Sequence, residues 1–130
     1  MQTRILMLLS AAVMLVLGLL FTFAPREVLE RVGGQAQPMV VLLTQATGGM
    51  YLGFAMMNWM ARVSLIGGIY GRPIAMGNFL HFGIMTSALG KASFGAGRSS
   101  AILVAAAVYL AFAVWFGLVL FGDPLARKKV

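Results

Sequence analysis

The sequence predicts an all-α polytopic membrane protein, a bundle of four transmembrane helices forming a single domain over residues 1–130. Composition is the first reason. Of its residues 61% are hydrophobic and only 10% charged, too little polar surface to coat a water-soluble domain of this size. Patterning is the second. The apolar residues fall in four long runs broken by short connectors that contain Gly and Pro. A helix needs ~20 apolar residues to cross ~30 Å of hydrocarbon. Because the runs are continuous rather than alternating, they select helices over a lipid-facing barrel.

The first span, about 5–24, begins just after Arg4 and ends at Pro25. Its apolar core exceeds the roughly 7–15 residues of a secretory h-region. Phe21-Thr22-Phe23-Ala24-Pro25 also lacks a small-x-small cleavage site, so the segment reads as a retained span. Residues 26–32 place Val28, Leu29 and Val32 on one helical face. They fit either a short interfacial helix closed by Gly33-Gly34 or a solvated charged loop.

Pro38 suits a first helical turn and opens the second span, about 38–61, with Trp59 near the interface and Arg62 outside. The breaker cluster Gly67-Gly68-Ile69-Tyr70-Gly71-Arg72-Pro73 separates it from the third span, about 74–90, whose Lys91 can snorkel to the headgroups. That cluster is Gly-rich and basic but lacks the Gly-Lys-Ser/Thr ending of a phosphate loop, so it reads as a turn. The fourth span, about 99–121, carries Tyr109 and Trp115 and is stopped by Gly122-Asp123-Pro124.

Four spans put both termini on one side, together with Arg4, Arg62, Arg72, Arg127, Lys128 and Lys129. The other side holds Arg26, Arg31, Lys91 and Arg98. The positive-inside rule then favours cytoplasmic termini. A net charge of +7 raises the question of nucleic acid, but the cations are scattered over both faces and form no stripe. Arg62, Arg72, Arg127, Lys128 and Lys129 are expected at lipid headgroups instead.

Polar side chains inside the spans carry the most information, since an unpaired amide or imidazole in hydrocarbon costs on the order of a few kcal/mol. Thr44, Gly48, Tyr51, Ala55, Asn58 and Arg62 share one stripe of the second span, and Gln45, Gly49 and Gly53 share another. In the third span Asn78 and His81 lie on one face, and Gly83 and Ser87 form a further small-residue step. Gly48, Gly49, Gly53, Gly83 and Ser87 are therefore expected to allow close helix packing. Gln45, Asn58, Asn78 and His81 are expected to converge on an internal polar site walled by Tyr51, Phe82, Tyr109 and Trp115. The competing expectation is that they serve only as interhelical hydrogen-bonding glue.

Catalytic and metal chemistry are poorly served. There is no Cys and a single His, and the only acids, Glu27, Glu30 and Asp123, fall outside the spans. Neither a zinc set nor a general acid/base pair can be assembled from these residues. A lone axial His for haem has no further support. No cofactor, metal or catalytic residue is predicted. The ten Met residues form no tight Met-x-x-Met array and read as soft packing.

In their arrangement, Phe23-Ala24-Pro25, Gly48-Gly49-Met50-Tyr51-Leu52-Gly53-Phe54 and Asn58-Trp59-Met60-Ala61-Arg62 resemble small bacterial four-helix membrane proteins of the DoxX-like group. The resemblance covers most of the chain in organisation. It implies an inner-membrane four-helix protein rather than a reaction. Small multidrug transporters are similar in length, but the carboxylate they use in the first span is missing here, as is the Thr-Thr-Phe-Ser stretch of fluoride channels.

Two functions follow as expectations. One is an accessory or assembly subunit whose Gly/Ala seams bind another membrane protein or a second copy. The other is binding or transport of a small neutral or cationic molecule at the intramembrane polar residues. An intramembrane enzyme ranks behind both.

Overall fold

A computed structural model describes residues 2–63, 71–94 and 99–122. Within them the chain is all-helical: α1 (Gln2–Phe23), α2 (Pro25–Arg31), α3 (Pro38–Ala61), α4 (Arg72–Ser93) and α5 (Ser100–Phe121). The Gly-rich connector over residues 64–70, Arg98 and the basic tail with Arg127, Lys128 and Lys129 lie outside the described residues.

Proline lies in the first turn of three helices, Pro73 being the second residue of α4. Pro25 and Pro38 sit at helix beginnings, where the missing N–H costs nothing and the fixed φ is already helical. Ahead of Pro25, Ala24 leaves the helical region at φ −130°, ψ 47°, as a residue before proline tends to. That break separates α1 from α2. Of the two readings left open for residues 26–32, a short helix or a charged loop, the helix is the one present, as α2. Gly33 ends it at φ 79°, with the Gly34 N–H donating to the Leu29 carbonyl at 2.8 Å and the Gly33 N–H to Glu30 at 3.1 Å. This is a Schellman closure, which needs a residue able to adopt positive φ.

Two antiparallel hairpins make the bundle. α1 packs along α3 and α4 along α5, while contacts across the pairs are sparser. The first seam is tightest where Gly48 meets α1: a Cβ there would stand 2.7 Å from the Thr22 backbone nitrogen and 3.0 Å from the Gly18 carbonyl. No larger residue fits without moving backbone. The second seam is aromatic, with Phe82 stacked on Phe112 at 4.8 Å and on Phe116 at 5.8 Å. Leu6, Met7, Met14, Phe82 and Phe116 are fully enclosed.

Outside, the bundle is coated with exposed apolar residues, among them Leu19, Leu42, Leu43, Met50, Leu103 and Leu118, while Ser10, Asn58 and Asn78 are fully buried. Such a surface belongs in a bilayer rather than in water. Three threonine hydroxyls within the helices are returned to their own backbone: Thr44 donates to the Val40 carbonyl at 2.8 Å, Thr47 to Leu43 at 2.9 Å and Thr86 to Phe82 at 2.7 Å. In hydrocarbon no water would satisfy them.

Among the described residues three helices are long and apolar enough to cross a membrane: Thr3–Phe23, Pro38–Ala61 and Ser100–Phe121. This is one fewer than the sequence pattern predicts. α4 is as long as α1 and α5, 22 residues. It is diluted by Asn78, His81, Thr86, Ser87 and three glycines between Arg72 and Lys91, so length and composition alone do not qualify it.

Candidate functional site

The centre of the molecule holds two polar clusters, one above the other between the hairpins. The lower is built on α3 and α4. Asn58 and Asn78 face each other and exchange two amide hydrogen bonds, Nδ2 to Oδ1 in each direction at 2.8 Å. The second Asn58 N–H donates to Ser10 Oγ of α1 at 3.1 Å, and the second Asn78 N–H to the Ile74 carbonyl at 2.9 Å. Ser10 in turn donates to the Met7 carbonyl at 3.1 Å. Each amide carries two N–H donors, so all four are spent inside the bundle. The network is closed on itself and ties three helices at one level.

The upper cluster is aromatic. His81 of α4 has Tyr51 edge-on at 5.1 Å, Phe54 at 5.2 Å, Phe82 at 5.3 Å and Tyr109 at 5.8 Å between ring centroids. The Tyr109 hydroxyl donates to the Tyr51 hydroxyl at 2.9 Å, joining α5 to α3. His81 Nε2 is buried and finds no partner there. A buried polar atom normally has one, so the chemistry of Nε2 is left open, a condition that Thr22 Oγ1 shares among the described residues.

Of the expected polar site, Asn58, Asn78 and His81 are thus central together with Tyr51, named both as a ligand candidate and as a wall, but in two sets: Asn58 with Asn78, and Tyr51 with His81. Gln45 does not converge with them. It is exposed on α3 and donates to the Thr22 carbonyl at 3.3 Å, because its stripe is turned away from α4. Of the expected walls, Phe82 and Tyr109 are in place, and Trp115 is a partly buried member of the core periphery.

No protein-family model, curated protein or solved structure matches this chain.

The packing residues also divide. Gly48 is enclosed against α1, but a Cβ on Gly49, Gly53 or Gly83 would meet nothing within 4 Å, and Ser87 is exposed with its hydroxyl on the Gly83 carbonyl at 3.2 Å. Among the described residues these four leave open faces rather than close contacts. Arg62 turns back to the Trp59 carbonyl and lies over the Trp59 ring at 4.0 Å, an arrangement suited to an interface. Arg72 is exposed at the start of α4.

Ser10 was missed by the sequence reading. Its signal was there: it is the lone hydroxyl in the apolar run from Ile5 to Phe21, where a polar side chain needs a protein partner. Thr22, whose hydroxyl is buried without a partner beside Gly48, was also passed over. Among the described residues no three His, Asp or Glu side chains gather as a metal group would require.

Proposed function

We propose that this chain is a bacterial inner-membrane protein whose four long helices all cross the bilayer, and that it acts as an accessory or assembly subunit. The observation that supports this reading is the division of its polar and small residues. The buried amides of Asn58 and Asn78 are saturated by each other, Ser10 and Ile74, which suits structural glue and leaves them no donor for a ligand. The open face of α3 carries Gln45, Gly49 and Gly53 at spacings of four, with both glycines uncovered. In lipid such a face favours the close approach of another helix, with an amide available to hydrogen-bond across the contact. That helix would come from a second copy or from another membrane protein.

α4 completes the crossing in this reading. Its hydroxyls are satisfied by its own backbone, and Asn78 is closed into the network, so these side chains add little desolvation cost in place, and among its buried polar atoms only Nε2 of His81 is left without a partner. Arg72 and Lys91 would flank it at the two headgroup levels. Cytoplasmic termini rest on the distribution of Lys and Arg, and the DoxX-like resemblance supports the bacterial inner membrane.

Crosslinking tests the assembly role directly, because the chain has no Cys of its own. Gly53→Cys in native membranes should give an oxidant-dependent adduct, whereas Val114→Cys on the exposed face of α5 should not. Only monomer from both would remove the proposed seam.

One observation favours a second reading, small-molecule binding: the unpartnered His81 Nε2 inside its aromatic cage. His81→Phe keeps ring packing and deletes the orphaned polar atom. If His81 is only a packed ring, the variant should be as stable as the parent or gain up to about 1–3 kcal/mol, with function retained in vivo. A stable variant that has lost function would move the binding reading ahead.

A further inference from the structure

The four long helices are packed into a core over only one half of their length. At one end of the bundle α1 starts, α3 ends, α4 starts and α5 ends, and from that end burial continues as far as Gly18 on α1, Gly48 on α3, Phe82 on α4 and Tyr109 on α5. Beyond those four residues the helices run on to the opposite end, and there Ser93 alone of their side chains is buried. Its hydroxyl returns to the Gly90 carbonyl of its own helix at 2.7 Å.

The ties between the two hairpins are confined in the same way. The chain passes from one hairpin to the other between Ala61 and Arg72, at the buried end. The hydrogen bonds that cross from the α1/α3 hairpin to the α4/α5 hairpin are those of Asn58 with Asn78 and of Tyr109 with Tyr51. Among the described residues none lies further toward the open end. There α5 faces α1 across a groove that runs from Ser100 to Tyr109, with Val13, Val16 and Leu17 opposite. Each hairpin, by contrast, is close-packed along its own seam. In the first, Gly48 lies against the Thr22 backbone and Gln45 donates to the Thr22 carbonyl within the open half itself.

An interdigitated interior resists displacement of its parts, whereas elements with few shared contacts move against each other at little cost. Two stiff bodies joined at one end and unpacked at the other turn about the joined end. We propose that the bundle is a hinged clamp: the α1/α3 and α4/α5 hairpins rock as rigid bodies about the level of Asn58 and Asn78, opening and closing the half beyond Tyr109. Tyr109 stands at the inner end of the groove, with the His81 ring against it at 5.8 Å, so the swing sets how far the bilayer reaches toward these two rings. The hinge depends neither on the α3 seam nor on a ligand at His81.

Because the chain has no Cys, engineered cysteine pairs can carry spin labels in the full-length protein. It is reconstituted in phosphatidylcholine vesicles and diluted with unlabelled protein, so that electron paramagnetic resonance reads distances within one chain. Leu20→Cys with Leu103→Cys spans α1 and α5 in the open half. Ile5→Cys with Leu118→Cys spans the same helices at the buried end, and Leu20→Cys with Leu42→Cys stays within the first hairpin. All five side chains are exposed, so labelling leaves the core intact. The buried-end and within-hairpin pairs should each give one narrow distance distribution, and the open-half pair one about twice as wide. An open-half distribution as narrow as the within-hairpin one would make the bundle a single rigid body and overturn the hinge. A buried-end or within-hairpin distribution as wide as the open-half one would overturn it too, since the hairpins would then part along their whole length or not be rigid.

Discussion

Asn58 shows what one side chain does for this bundle. Its amide joins Asn78 on α4 and Ser10 on α1, so a single position couples both hairpins. Replacing it with Ala leaves the Asn78 amide and the Ser10 oxygen short of partners in a core without water. Asn58→Ala should lower stability by about 1–3 kcal/mol, read as a shifted midpoint in a denaturing-detergent titration. Adding Asn78→Ala should cost less than the sum of the two single changes, since the pair acts as a unit; strict additivity would deny that the two amides work together. The sequence showed that Asn58 and Asn78 had to face protein, because three- and four-residue spacings fix which face of a helix a residue occupies. It did not show which helix would meet that face. Gln45 went astray for this reason: it was grouped with the interior amides by type, while its position on α3 turns it toward α1 and the outside. Ser10 was legible as a lone hydroxyl but not as the third member of the network, a relation set by packing across 48 positions of sequence.

Elements were read more securely than pairs of residues. Runs of apolar residues ended by Pro and Gly correspond to α1, α3 and α5, and α2 closes at the two glycines through Gly33. Local chemistry dictates these features, and it is present in the sequence. Glycine roles were not equally legible, since small residues permit close approach without saying from which side. Gly48 meets α1, and its neighbour Gly49 meets nothing. The fourth crossing was the least secure element, because α4 carries the polar residues that hold the core together, and these lower its apolar content. Cysteine labelling decides it: Arg72→Cys and Lys91→Cys should react with a membrane-impermeant maleimide from opposite sides of sealed vesicles if α4 crosses. Labelling of both from one side would leave three crossings.

At the scale of the molecule, two hairpins are held at their centre by the amide network and the Tyr51–Tyr109 pair, and their outer faces differ. One face of α3 carries bare glycines beside an exposed amide, and the gap between α1 and α5 is a short apolar groove. No single motif in the chain announces such an arrangement, because a surface exists only once the helices are placed. The reading as an assembly subunit depends on the first of these faces being covered in the membrane. The most direct test is a high-resolution density map of the protein extracted gently in native lipid. A helix of a second copy or of another membrane protein lying against Gln45, Gly49 and Gly53, with the His81 cage dry, is the expected result. An α3 face covered only by lipid, together with ordered non-protein density against His81 Nε2, would contradict the assembly role and make the aromatic cage the working site.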